Sequence, residues 1–341
     1  MPRKACWPGV LNDPRGNGRA RAVSNSNDFG IDDLVQPFQI EGLGIRGRVV
    51  RLGPLVDRVL TTHAYPEPVS RLLGETLALT ALIGSALKFD GRFILQTQSN
   101  GPVAMLVADY EAPGKLRGYA RMNEARVADA IREGRTAPAD LMGEGHLALT
   151  IDQGADMAPY QGIVALPPDG LSHSAHEYFA SSEQVATRIR LAAGPFYHRE
   201  ATGPEKNWRA GAIMIQHIAR DGGLTGYRED EVERPLTGEE ENWNRASILL
   251  ETVEDHELLD PELEPNRLLF RLFHEDGVRA FEPARMAFSC HCSRERMSSV
   301  LRAFGRHEID EMVRDGVVTA TCEFCNEVYV FEPAELKQGL N

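Results

Sequence analysis

The sequence predicts an α+β protein with an N-terminal mixed sheet-and-helix core, a helical linker and a small C-terminal domain carrying four cysteines. Three observations lead there. Strand and helix patterns alternate irregularly over the first two thirds of the chain, without the repeated βαβ unit of a doubly wound sheet. Between Glu229 and Glu264, fourteen Asp or Glu stand against two Arg, a net of −12 in 36 residues. Four of the five cysteines, Cys290, Cys292, Cys322 and Cys325, fall in the last 52 residues.

Residues 1–32 are rich in Asn, Gly, Arg and Ser and read as a disordered leader. Their basic residues precede no apolar stretch of the ~7 to 15 residues that a secretory signal needs. From Val35 to Leu60, β-branched and apolar residues broken by Gly42, Gly44, Gly47 and Gly53 predict short strands with bulges or tight turns. Pro66 and Pro68 then fit a first helical turn, and Val69 to Leu87 is dense in Leu and Ala, so a helix is expected there. Its Gly74 and Gly84 would allow close packing against a sheet. Phe93–Thr97 and Val103–Tyr110, joined by Ser99-Asn100-Gly101-Pro102, predict a β-hairpin. His146–Asp152 and Gln161–Leu166 read as strands, Ser174–Arg190 as a helix and Ala212–Ile218 as the last core strand.

The acidic stretch is punctuated at roughly helical spacing by Trp243, Ile248, Leu249, Leu250 and Val253. Such a segment forms amphipathic helices that dock on a partner surface, and self-repulsion leaves them marginal when undocked. An ordinary solvated helical hairpin is the alternative. Leu268, Leu269, Phe270, Leu272 and Phe273 follow as a compact apolar patch. The expected organisation is therefore 1–32 leader, 33–220 core, 221–281 acidic linker and 282–341 cysteine domain.

With 42% hydrophobic and 26% charged residues, the 341-residue chain has material for a true core. No apolar run reaches the ~18 residues of a membrane span. The net charge of −13, from 37 basic and 50 acidic residues, repels phosphate backbones and anionic lipid, so neither nucleic acid nor membrane is an expected partner. Five cysteines are too few and too clustered for a disulfide-stapled secreted protein, and a reducing cytoplasm is the expected compartment.

Gly42-Leu43-Gly44-Ile45-Arg46-Gly47 matches the dinucleotide fingerprint, but Arg48 to Leu52 is strand-like where that fingerprint requires a helix. His173 and His176 lie on one helical face with Glu177 beside them, yet no third metal ligand is evident nearby. The C-terminal constellation is far more specific. In an extended chain residues i and i+2 share a face, so Cys290-His291-Cys292 offers two sulfurs to one point, and Cys322-Glu323-Phe324-Cys325 does the same across a turn. Four thiolates close a tetrahedral Zn2+ shell. The 29 residues between the pairs predict helices at Arg294–Phe304 and Ile309–Arg314, with strands at Val317–Thr321 and Val328–Phe331 around the second pair. A module of that size folds poorly without a metal. Residues 282–341 carry seven basic and ten acidic residues, unlike a nucleic-acid ribbon. Arg294 and Arg296 lie close enough in sequence to favour thiolates, and disulfide formation would remove the ligands, so the clamp can act as a redox switch.

These residues resemble the redox-regulated chaperonins of the heat-shock protein 33 family over about residues 33 to 336. The marker is Cys-x-Cys, a gap near thirty, then Cys-x-x-Cys, with Ser293-Arg294-Glu295-Arg296 after the first pair. Supporting matches are Gly91–Thr97, Tyr160–Val164, Tyr178–Gln184 and Leu268–Glu275. The resemblance implies an ATP-independent holdase, not an enzyme, that is idle when reduced. Its one Zn2+ per chain leaves as disulfides Cys290 to Cys292 and Cys322 to Cys325 form. It further implies unfolded client proteins and a homodimer on activation as partners. Three departures stand out: the leader with Cys6, a polar insertion at Gly194–Trp208, and His291 inside the Cys-x-Cys, where an imidazole competes for metal. The rival readings are a thiol-disulfide oxidoreductase using Cys322 and Cys325, and a structural zinc module on a binding protein.

Overall fold

The computed structural model describes residues 32–87, 91–154, 157–200, 203–218 and 238–337. The leader through residue 31, Cys6 and the first part of the acidic stretch, 229–237, lie outside the described residues. Strand β1 (Leu34–Ile40) turns through Glu41–Leu43 and Gly44, at φ 66°, into β2 (Ile45–Leu52). The glycine pattern is thus a hairpin turn, and no helix opens at it.

Helix α1 (Pro54–His63) corrects the expectation of strand as far as Leu60. Its start was legible in Pro54 at the first helical position. Its other determinant is remote, since the Asp33 carboxylate accepts the Gly53 and Leu55 N–H groups at 2.9 and 3.0 Å. Helix α2 (Glu67–Gly84) follows as expected, then β3 (Arg92–Ser99), β4 (Val103–Glu111) and β5 (Lys115–Met122). Helices α3 (Glu124–Arg132) and α4 (Pro138–Met142) lead to β6 (Gly145–Asp152) and β7 (Tyr160–Ala165).

The helix expected over Ser174–Arg190 is shorter. It is α5 (Leu171–Tyr178) plus a wide turn through Glu183, ended by Gln184 at φ 55°. From there the chain has period two, with Thr187 and Ile189 buried between half-buried or exposed arginines, and it forms β8 (Thr187–Glu200). The segment expected as a polar insertion, Gly194–Trp208, is built as strand. It is the paired arm of β8 and β9 (Gly203–His217), in register from Gly194↔Arg209 to Glu200↔Gly203.

The described strands form two six-stranded sheets and, in the C-terminal module, a two-stranded one. Sheet A runs β10-β1-β2-β9-β8, where β10 is Val278–Ala280, and β11 (Ala284–Arg285) also pairs with β1. Sheet B runs β12-β5-β4-β3-β6-β7, where β12 (Ala287–Phe288) lies parallel to β5. Helix α2 packs against strands of both sheets and is buried almost all round, as its Leu and Ala content requires. Gly74 permits this approach, because a Cβ there would sit 2.7 Å from that of Ala193.

The opposite face of sheet A is covered by α6 (Gly238–Glu251), α7 (Asp255–Leu259) and α8 (Pro265–Phe273). Their Trp243, Leu250, Leu258, Leu268, Leu272 and Phe273 form one apolar cluster with Phe38, Ile40, Ile45, Val49, Ile213 and Ile215 of the sheet. Of the expected apolar punctuation, Trp243, Leu250 and Val253 are buried, whereas Ile248 is 63% exposed. The C-terminal module contains α9 (Arg294–Leu301), α10 (Arg306–Met312), β13 (Val318–Thr321), β14 (Val328–Phe331) and α11 (Pro333–Leu336). These elements fall close to the sequence expectation.

Phe273 is fully buried and stacks on Phe38 with ring centroids 6.0 Å apart. Phe273→Ala is expected to cost about 3–5 kcal/mol. The loss should appear in hydrogen exchange over residues 238–273, with α2 still protected.

Candidate metal centre

The two thiol pairs arrive on different local structures. Cys290 and Cys292 lie on the extended segment after β12, which ends where the Ser293 hydroxyl accepts the Arg296 N–H and caps α9. Cys322 and Cys325 sit on the turn between β13 and β14. That turn is closed by the Asn326 N–H to the Cys322 carbonyl at 2.8 Å and the Cys322 N–H to the Glu327 carbonyl at 2.9 Å. Asn326 takes φ 55°, a left-handed position that Asn tolerates.

The four sulfurs meet within 4.8 Å of one another. Cys290 lies 3.4 Å from Cys292 and 3.6 Å from Cys322, and Cys292 lies 3.3 Å from Cys325. Metal–sulfur bonds of ~2.3 Å in a tetrahedron put sulfurs about 3.8 Å apart, so the four thiols fit a metal ion. Electrostatics point the same way. Burial opposes ionisation of Cys290, yet the Cys292 N–H and the neighbouring thiols outweigh it and bring Cys290 down to about 7. Burial pushes Cys322 and Cys325 up. Without a cation the cluster resists accumulating thiolates; a metal removes that resistance.

His291, the suspected competitor, points away from the sulfurs, and its Nε2 lies 2.6 Å from the Glu111 carboxylate. Arg294 and Arg296 do not supply positive charge at a sulfur either. Arg294 donates to the Val330 carbonyl and pairs with Glu335, and Arg296 donates to the His291 carbonyl. The cation at the cluster is Arg117 of β5, 4.0 Å from the Cys290 sulfur, held by Asp109 at 2.6 Å and lying over the Phe324 ring at 4.0 Å. No local pattern marks Arg117, because its partners are brought to it by the fold. The Tyr329 hydroxyl, also unforeseen, donates to Cys292 at 3.3 Å.

The module is docked on the core. Phe324 meets Tyr119 edge-on at 4.8 Å, Glu323 pairs with Arg121 at 2.9 Å, and the Asn326 side chain donates to the Thr62 carbonyl at the end of α1. The histidine pair offers no second centre. The Ile189 N–H donates to His176 Nε2 at 2.8 Å, and burial, aided by Arg188 and His173, depresses His176 to about 4. Among the described residues, the four cysteines form the sole group of three or more clustered metal-ligating side chains.

The family model for the Hsp33 protein matches residues 33–332. The chain belongs to the Hsp33 family. A 33 kDa chaperonin of Caulobacter vibrioides is 45% identical over 306 residues, covering 89% of this chain and 96% of that one. One from Photobacterium profundum is 34% identical over 306 residues, covering 89% and 94%. The crystal structure of the Thermotoga maritima heat shock protein 33 homolog has the same fold, with a TM-score of 0.68 at 23% identity over 90% of this chain and 97% of that one. Membership in Hsp33 supports a chaperone function. No helix among the described residues is long and apolar enough to cross a membrane.

Metal binding requires deprotonated thiols, so protons compete with it. With Cys290 titrating at about 7 and Cys322 and Cys325 above their usual value, affinity should fall steeply as the pH drops. Competitive chelator titration with Zn2+ should show much weaker binding at pH 6 than at pH 8. Cys290→Ser should lower the metal content of the reduced chain.

Proposed function

We propose that this chain is a redox-regulated, ATP-independent holdase of the cytoplasm that keeps unfolding proteins from aggregating, and that it turns over no substrate. In this reading residues 33–220 are the chaperone core, 221–281 the regulatory linker and 282–341 the switch. Cys290, Cys292, Cys322 and Cys325 hold one Zn2+, which when bound keeps the sulfurs as thiolates and supplies folding free energy to the module. The module's own core is small, with Leu301, Ile309, Val318, Phe331 and Leu336 as its buried apolar residues, so such a contribution is needed.

Oxidation by a peroxide-class oxidant takes two electrons from each thiolate pair, forms one disulfide and, with two protons from solvent, reduces the peroxide to two waters. The proposed pairs are Cys290 to Cys292 and Cys322 to Cys325, each joined through one or two intervening residues. Disulfide sulfur is no longer an anionic ligand, so the module loosens, and with it the restraint it places on its neighbours.

The observation that carries this reading is the apolar outer face of sheet A under the linker helices. A sheet face lined by Phe38, Ile40, Ile45, Val49, Ile213 and Ile215 is a ready surface for unfolded chains, and α6–α8 cover it. Those helices carry Glu239, Glu240 and Glu241 in one first turn and Asp255 and Glu257 in another, a charge density that leaves them marginal once undocked. The freed face would also serve a second subunit in an activated homodimer.

Light scattering of a heat-unfolded client without ATP should show suppression by the oxidised protein and none by the reduced one. Equal activity in both states would leave only a structural zinc module, and turnover of a disulfide substrate would favour the oxidoreductase. Cys6→Ser is expected to switch as the wild type does.

A further inference from the structure

Arg51 is the largest fully buried side chain described, 1% exposed, and it lies on β2 on the face of sheet A that the linker covers. Its guanidinium reaches the linker rather than the core. Its Nη1 donates to the Leu263 carbonyl at 2.5 Å and its Nη2 donates to the Asp260 carbonyl. Both carbonyls belong to the non-helical turn between α7 and α8, more than two hundred residues away in sequence.

Neighbouring residues seat the same stretch. Gly211, directly across from Arg51 on β9, is where α7 touches the sheet, because a Cβ there would come within 2.5 Å of the Leu258 carbonyl oxygen. Arg190 of β8 donates to the Val253 carbonyl at 3.1 Å, just before α7 begins. Helix α7 is thus bracketed by two core arginines, each holding linker backbone, with Gly211 as the floor between them.

The charge of Arg51 is balanced by the Asp32 carboxylate and, from the linker itself, by that of Asp260. Its Nε faces the Asp32 carboxylate at 3.8 Å and has no hydrogen-bond partner, and Asp32 is engaged by both terminal nitrogens of Arg209. Burial, with Arg209 adding to it, lowers Arg51 to about 10. A buried guanidinium is costly unless its donors are met, and here linker carbonyls meet them. When the linker lifts, water can take their place, so that exchange is nearly even and opposes undocking little. Apolar contact supplies the attraction, and Arg51 supplies the register.

We propose that Arg51 is the positioning residue for the docked linker, fixing the α7–α8 turn through the Asp260 and Leu263 carbonyls, so that losing it frees the linker while the metal stays bound. The effect on client binding rests on the holdase reading; the effect on the linker does not.

The test uses the full-length reduced protein with its metal. In Arg51→Leu, two half-buried linker carbonyls lose a charged donor, and amide exchange over residues 255–273 should speed up roughly a hundredfold. Metal analysis should still find the wild-type content, and the reduced variant should already suppress client aggregation. Arg51→Lys keeps the cation but lacks the fork that spans two carbonyls, so it should give a smaller increase of the same kind; it decides the matter if the leucine variant does not fold. Wild-type protection of residues 255–273 in whichever variant folds would overturn the proposal, as would loss of metal together with linker protection. A loosened linker with metal retained and no client protection would uphold Arg51 and count against the holdase reading.

Discussion

Sheet A carries apolar side chains on both faces, and each face has to be kept from water. One face is closed permanently by α2, an apolar helix buried against both sheets. The other is closed by helices whose outer surfaces are strongly acidic. The hydrophobic effect holds those helices down, and ion pairs from Arg271 to Glu257 and from Arg245 to Asp276 tie them to their neighbours. The first face has its own large apolar cluster around α2, separate from the one under these helices.

The cysteine module follows those helices along the chain. After α8 the backbone adds β10 and β11 to sheet A and β12 to sheet B before it reaches Cys290. The module is therefore tied to both sheets by short strand pairs, which hold little free energy of their own. Further anchorage comes from the Cys322–Cys325 turn against β5 and α1, through Phe324, Glu323 and Asn326, and from His291 against Glu111 of β4. The turn that presents two sulfurs to the metal is also the turn that grips the core, so the fold of the cluster and the docking of the module share the same residues.

Much of this was legible in the sequence wherever a short-range rule applied. Cys-x-Cys in an extended segment and Cys-x-x-Cys on a turn converge their sulfurs by local geometry, and the structure brings the four within 4.8 Å. Helix α2 and the β3–β4 hairpin were visible for the same reason, since an apolar helical run and a turn between two strand patterns are local signals. Where local signals conflict, the reading failed: the residues after Gln184 have helical neighbours upstream, but pairing with β9 makes them strand.

By itself, then, the sequence determined the thiol cluster, the buried helix and the acidic character of the linker, because each depends on residues within a turn or two of one another. Only the tertiary structure decided that Arg117 would stand at Cys290, that His291 would turn to Glu111, and that Arg51 would hold the linker turn. Each of those contacts joins segments more than 170 residues apart, and side chains so distant in the chain meet only after both sheets have closed around α2.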